Sequence, residues 1–106
     1  MATYLIEGTY TADGVKGVLK DGGSGRRKAV EDVLKSMGGR LEAMYYAFGD
    51  PDVYVIYDAP DNITAAALAM GVGSTGLIAV KTTVLLTIDE IDQAAKKTVS
   101  YRAPGR

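Results

Sequence analysis

Two unbroken apolar runs, Met44-Tyr45-Tyr46-Ala47-Phe48 and Val53-Tyr54-Val55-Ile56-Tyr57, are joined by Gly49-Asp50-Pro51-Asp52. Their β-branched and aromatic content marks them as strands, and the turn residues between them make a hairpin. Successive side chains of a strand point to opposite faces, so an unbroken apolar run presents large groups on both. A lone antiparallel sheet with helices on one face and water on the other alternates apolar and polar residues instead. Each large side chain gains roughly 1.5–3 kcal/mol on full burial, so a greasy second face left in water would be an unusual exposed patch. A chain of 106 residues is one domain in size and has little left to build a second layer. The reading is therefore a homo-oligomer, a dimer or a dimer-based assembly, packed sheet against sheet.

The remaining elements follow from local signals. Thr3 to Tyr10 reads as a first strand ending in the turn cluster Thr11-Ala12-Asp13-Gly14. Gly14 to Lys20 holds at most a helical turn, and Asp21-Gly22-Gly23-Ser24-Gly25 is glycine-rich enough to predict a loop, with Ser24 as N-cap of the next helix. From Arg26, apolar residues at Ala29, Val30, Val33, Leu34 and Met37 fall on one helical face, and Gly38-Gly39 ends the helix. Strands follow at Arg40–Phe48 and Val53–Ala59. Asp61 caps an alanine-rich helix over 62–70 whose small side chains would let it sit close to a sheet, and Gly71-Val72-Gly73-Ser74-Thr75-Gly76 interrupts it. Leu77–Leu86 is the last strand, and Thr87 with Glu90 forms a capping box opening a helix over Ile88–Lys97. The order βαββαβ plus a C-terminal helix predicts an α+β, ferredoxin-like fold, a four-stranded antiparallel sheet in spatial order 4-1-3-2 with two helices on one face. Residues 1–97 form the single domain, and 98–106 a flexible tail.

Composition narrows the chemistry. Lys plus Arg is 12 and Asp plus Glu 13, a formal net charge of −1, so nothing draws the chain to nucleic acid or to anionic lipid. No apolar stretch reaches the roughly 20 residues of a membrane span, and Met1-Ala2-Thr3-Tyr4 is not the opening of a secretory signal, which makes the expected location cytoplasmic. Cysteine and histidine are both absent, which removes disulfides, thiolate chemistry, the commonest metal ligand and the side chain that titrates near neutrality.

Four groups of residues carry candidate chemistry. Gly71 to Gly76 has the letters of a dinucleotide fingerprint but in the order helix, glycines, strand, the reverse of what holds pyrophosphate, so it is a turn and no cofactor is expected. Gly22 to Lys28 places Arg26 and Arg27 beside glycine-freed amides at a helix start, an arrangement suited to an anion, although a basic surface run is more often simply solvated. Asp50, Asp52, Asp58 and Asp61 fit no calcium loop and are explained by turns and caps, so no metal site is expected. Glu7, Glu42 and Lys81 are single charges in apolar strands, and Tyr45, Tyr46, Tyr54 and Tyr57 stand near them. Glu7, Glu42, Tyr45, Tyr46, Tyr54 and Lys81 are thus candidates to bind a small organic ligand, the alternative being that they pair across strands or fill the oligomer interface. A one-residue slip exchanges the two faces of a strand, so the pattern leaves open which set faces the helices.

Tyr4-Leu5-Ile6, Arg27, Gly38-Gly39, Tyr45-Tyr46-Ala47-Phe48-Gly49-Asp50-Pro51-Asp52-Val53, the Ala65–Met70 helix with its glycine turn, and Lys81-Thr82-Thr83 together resemble the GYD domain family over residues 3–87. In the family signature Gly49 and Asp52 match, while Pro51 stands where tyrosine is expected. The resemblance implies a dimeric α/β barrel in a family of small bacterial proteins without an assigned common activity, and it carries over no catalytic residue. Other dimeric barrels include cofactor-free monooxygenases, isomerases and binding proteins, an analogy of fold only.

Three functions are compatible with these residues. The first is a homo-oligomeric small-molecule-binding module, with its ligand between the sheet and a symmetry mate or near the hairpin. The second is a cofactor-free oxygenase or isomerase acting on an aromatic or enolic substrate, with Tyr45, Tyr46 or Glu42 carrying protons. That role would require tyrosine, near 10, or glutamate, near 4.3, to shift roughly 2–3 units toward neutrality. The third is a purely structural assembly protein.

Overall fold

A computed structural model describes residues 1–106. In chain order the elements are β1 (Ala2–Tyr10), α1 (Ala12–Ser36), β2 (Arg40–Tyr46), β3 (Val53–Ala59), α2 (Asn62–Gly73), β4 (Ile78–Leu85) and α3 (Ile88–Ala95). All strand pairs are antiparallel, and the sheet order β2-β3-β1-β4 is the expected 4-1-3-2 read from the other edge, consistent with a ferredoxin-like fold. Beyond Ala95 the chain has no further helix or strand, and no helix is long and apolar enough to cross a membrane.

The first helix departs from expectation. Thr11, not Ser24, is its N-cap, with the hydroxyl accepting from the Gly14 amide at 3.2 Å, and Gly14 to Gly25 is helical except at Gly22. The predicted loop over Asp21–Gly25 shrinks to that one residue, whose φ of 72° and ψ of 167° lie in a region that essentially only glycine enters. Gly14 is fixed by close approach instead, since a Cβ there would lie 2.0 Å from the Leu77 carbonyl oxygen. The second helix also runs further than expected, through Gly71 to Gly73, before Ser74 ends it.

Tyr4, Ile6, Val53, Val55, Tyr57 and Ala59 are buried beneath α1 and α2, which cover the same side of the sheet. Together with Leu34, Ala65 and Leu68 they form the core. Thr3, Leu5, Glu7 and Thr9, with Tyr54, Ile56 and Asp58, therefore line the opposite, open face. Tyr45, Phe48, Ile63, Met70, Leu86, Ile88 and Ile91 are among many exposed large apolar side chains, and only 11 of 106 residues are buried. The radius of gyration is 16.9 Å, where a packed chain of about 100 residues measures about 13 Å. The capping box opens α3 as expected, with Thr87 Oγ1 accepting from the Glu90 amide at 3.1 Å, yet no residue of that helix is buried.

Candidate functional site

The two covering helices do not close over the sheet. Between them lies a partly open cavity of about 270 Å³, walled by fifteen residues of which fourteen are hydrophobic. Val30, Val33 and Leu34 come from α1, Leu68 and Val72 from α2, and Ile6, Val55 and Tyr57 from the floor of the sheet. The alanine-rich helix packs on β3 and β4, as its small side chains allow, and Leu68 and Val72 are its side chains in the cavity wall.

Arg26 is the one charged residue in the wall. It also borders an adjoining cavity of about 290 Å³ under the first half of α1, as do Tyr10, Val72 and Ile78. Its guanidinium makes a single ion pair, 3.4 Å from Asp21, and its side chain is 35% exposed. Tyr10 borders both cavities as well, and its hydroxyl lies 3.5 Å from that of Tyr46. Burial pushes the Tyr46 phenol well above its usual range, the Tyr10 hydroxyl adds to this, and the nearby Arg26 charge opposes it. Deeper in the wall, Tyr57 is fully buried and its hydroxyl has no hydrogen-bond partner. Burial, with a smaller contribution from Tyr4, pushes its pKa up to about 12. Tyr4, stacked on it at 5.3 Å between ring centroids, donates its own hydroxyl to Asn62 at 2.6 Å. A buried hydroxyl without a partner is an unmet hydrogen-bonding demand.

The residues singled out in the sequence fall on both sides of the sheet. Tyr45, Tyr54, Glu7 and Lys81 are cross-strand neighbours in one row running over β2, β3, β1 and β4 on the open face. Tyr45, at one end of the row, is 70% exposed. Tyr46 instead shares the helix-facing side with Val53. Glu42 lies at the register shift between Leu41 and Ala43, and Arg40 bridges it at 2.6 Å and Asp58 at 3.2 Å. Arg26 and Arg27 separate, the latter pairing with Glu31 at 3.6 Å on the outside of α1. The acidic residues of the hairpin and helix start have structural partners: Asp52 accepts from the amides of Tyr10 and Gly49, Asp50 from the Thr9 hydroxyl, and Asp61 caps α2 through Thr64. Val30, Val33, Val72 and Tyr57 as cavity walls were not foreseen, because a gap between helices leaves no motif.

Fold and cavity define a small α+β domain with an apolar site between its helices and sheet. Residues 4–95 match the GYD domain model, and the chain belongs to the GYD domain family. No curated protein and no solved structure matches it.

Proposed function

We propose that this chain is a self-associating small-molecule-binding module, and that each copy holds an apolar ligand in the cavity between α1, α2 and the sheet. The observation that carries this reading is the cavity itself, a space of about 270 Å³ with fourteen hydrophobic wall residues and one cation. An apolar wall of that extent left open to water forgoes burial that an apolar ligand would supply. The volume lies just under the range of about 300–1,000 Å³ typical of drug-sized ligands, which suits a smaller molecule. The enzyme reading has less support here. No Asp or Glu lines the cavity, and the phenols of Tyr46 and Tyr57 are displaced upward, away from the neutral range that proton transfer needs.

Self-association is supported by the open face. Leu5, Ala43 and Ile56 form an apolar row beside the row of Tyr45, Tyr54, Glu7 and Lys81, and nothing within the chain covers either. A second copy seated there would bury the tyrosines and pair the charges at its rim. Native mass spectrometry of protein taken directly from cells reads copy number and retained ligand together. The expected result is an oligomer carrying added small-molecule mass that is lost in Val72→Phe, whose ring would occupy the cavity. A bare monomer in the wild type, unaltered by that substitution, would refute both parts.

A further inference from the structure

Resting on the cavity reading, we infer that the ligand is an apolar carboxylate, its hydrocarbon body among Val30, Val33 and Val72 and its anionic end at Arg26. Arg26 and its surroundings point to this class. An otherwise hydrophobic lining holds a single guanidinium, and no carboxylate of that lining neutralises it. Asp21, outside this cavity, reaches one nitrogen at 3.4 Å, whereas a guanidinium has five N–H donors in a fork that fits a carboxylate in bidentate fashion. Around the same end the Tyr10 and Tyr46 hydroxyls stand 3.5 Å apart. A phenol O–H is a hydrogen-bond donor, so this pair can donate to a ligand carboxylate.

Tyr57 is a residue of the same floor, and its hydroxyl is buried without a partner. Size sets the length of the body. Filled to the packing density of a protein interior, about 0.74, the cavity takes a molecule on the scale of a medium-chain fatty acid or a one- or two-ring aryl acid. Phosphate and other compact, strongly hydrated anions would leave the apolar wall unfilled, which separates this site from the helix-start anion site suggested by the basic run Arg26-Arg27-Lys28.

Octanoate and its neutral counterpart octanol test the class by calorimetric titration, with methyl NMR shifts of Val30 and Val72 reporting the location. Octanoate is expected to bind more tightly than octanol. Arg26→Met should weaken octanoate by about 10–100-fold, the worth of a charge-assisted hydrogen-bonded pair, and leave octanol unchanged. Arg26→Lys should retain part of the preference, and Val72→Phe should lose both ligands. Equal binding of acid and alcohol, indifferent to Arg26→Met, would overturn the carboxylate inference while leaving the cavity reading intact. Failure of both ligands to bind, or octanoate binding that survives Val72→Phe without shifts at Val30, would overturn the cavity reading and the inference with it.

Discussion

Replacing Tyr57 by Phe should make the unliganded protein more stable. Removing a buried polar side chain usually costs stability because its partner is stranded, but the Tyr57 hydroxyl has no partner to strand. Leaving such a group desolvated and unpaired costs about 1–3 kcal/mol, and deleting it relieves that cost. Against this stands the loss of one oxygen's worth of packing, while the ring keeps its stack on Tyr4 at 5.3 Å. The net expectation is a gain of about 1 kcal/mol. With an unfolding entropy of about 2.1 cal/mol/K per residue, that raises the melting temperature by about 4–5 °C at fixed protein concentration. Differential scanning calorimetry and urea titration both read it. The alkaline limb gives an independent check. The folded phenol titrates at about 12, above the unfolded value near 10, so between those values the folded state binds more protons than the unfolded one. Stability is then complete below about pH 10 and falls as pH rises toward 12. In Tyr57→Phe that fall should be shallower. A variant that melts lower than wild type, or an unchanged alkaline limb, would refute the claim that this hydroxyl is buried and unsatisfied.

The two neighbouring glycines of α1 should respond with opposite signs: no neighbour lies within 4 Å of a Cβ added at either, but only Gly22 has positive φ. Gly22→Ala is expected to cost about 1–3 kcal/mol and Gly23→Ala to gain up to about 1 kcal/mol in urea unfolding, and equal effects would show that the break is not where it is placed. Asp58 is held below the usual carboxylate range, first by the Thr3 hydroxyl at 2.7 Å and further by Glu42 and Arg40. Its stabilisation is therefore present above the unfolded pKa near 3.9 and lost as pH falls through the lower folded value, so Asp58→Asn should flatten the acid limb of stability against pH. Leu5→Glu places a charge in the centre of the open face and should convert the proposed oligomer to a monomer in analytical ultracentrifugation. A variant that sediments like wild type would remove the open face from the interface.

Most of the fold was legible because its signals are local. Asp61 and the Thr87–Glu90 pair cap the helices they were expected to cap, the hairpin closes around Gly49 to Asp52, and the sheet order follows from the element order. The length of α1 was misread because four small residues, Gly22-Gly23-Ser24-Gly25, look like a loop. In the fold only Gly22 leaves helical geometry, while Gly23 and Gly25 are tolerated at the usual cost of glycine in a helix. The facing of the strands was undecidable from apolar runs, yet Gly8 held the signal. A Cβ there would lie 2.6 Å from Ile78 Cδ1 and 2.9 Å from Val53 Cγ1, the close approach that a glycine inside a strand often marks, and it puts the set Tyr4, Ile6, Gly8 and Tyr10 under the helices. Glu7 and Lys81, opposite each other one residue off that set, then belong to the open face. The cavity was beyond reach because its volume depends on the separation of two helices, to which no single residue pattern corresponds.

Many of the polar residues already have structural work, which bears on the proposed binding role. Asp52 and Asp61 hold backbone amides, Asp58 and Glu42 share Arg40, and Glu90 closes a capping box. Asp58, through the Thr3 hydroxyl first, and Asp61, through the Thr64 amide first, are held below the usual carboxylate range, which makes these two poor proton carriers near neutrality. With no histidine or cysteine in the chain, the remaining candidates near the cavity are phenols, and burial moves Tyr46 and Tyr57 further from the useful range. At the cavity the groups left without structural employment are an apolar volume, a guanidinium held by one long ion pair, and the Tyr57 hydroxyl, while the Thr82 hydroxyl is buried without a partner as well. An apolar volume, a cation and a hydroxyl donor are the features that would orient the proposed ligand.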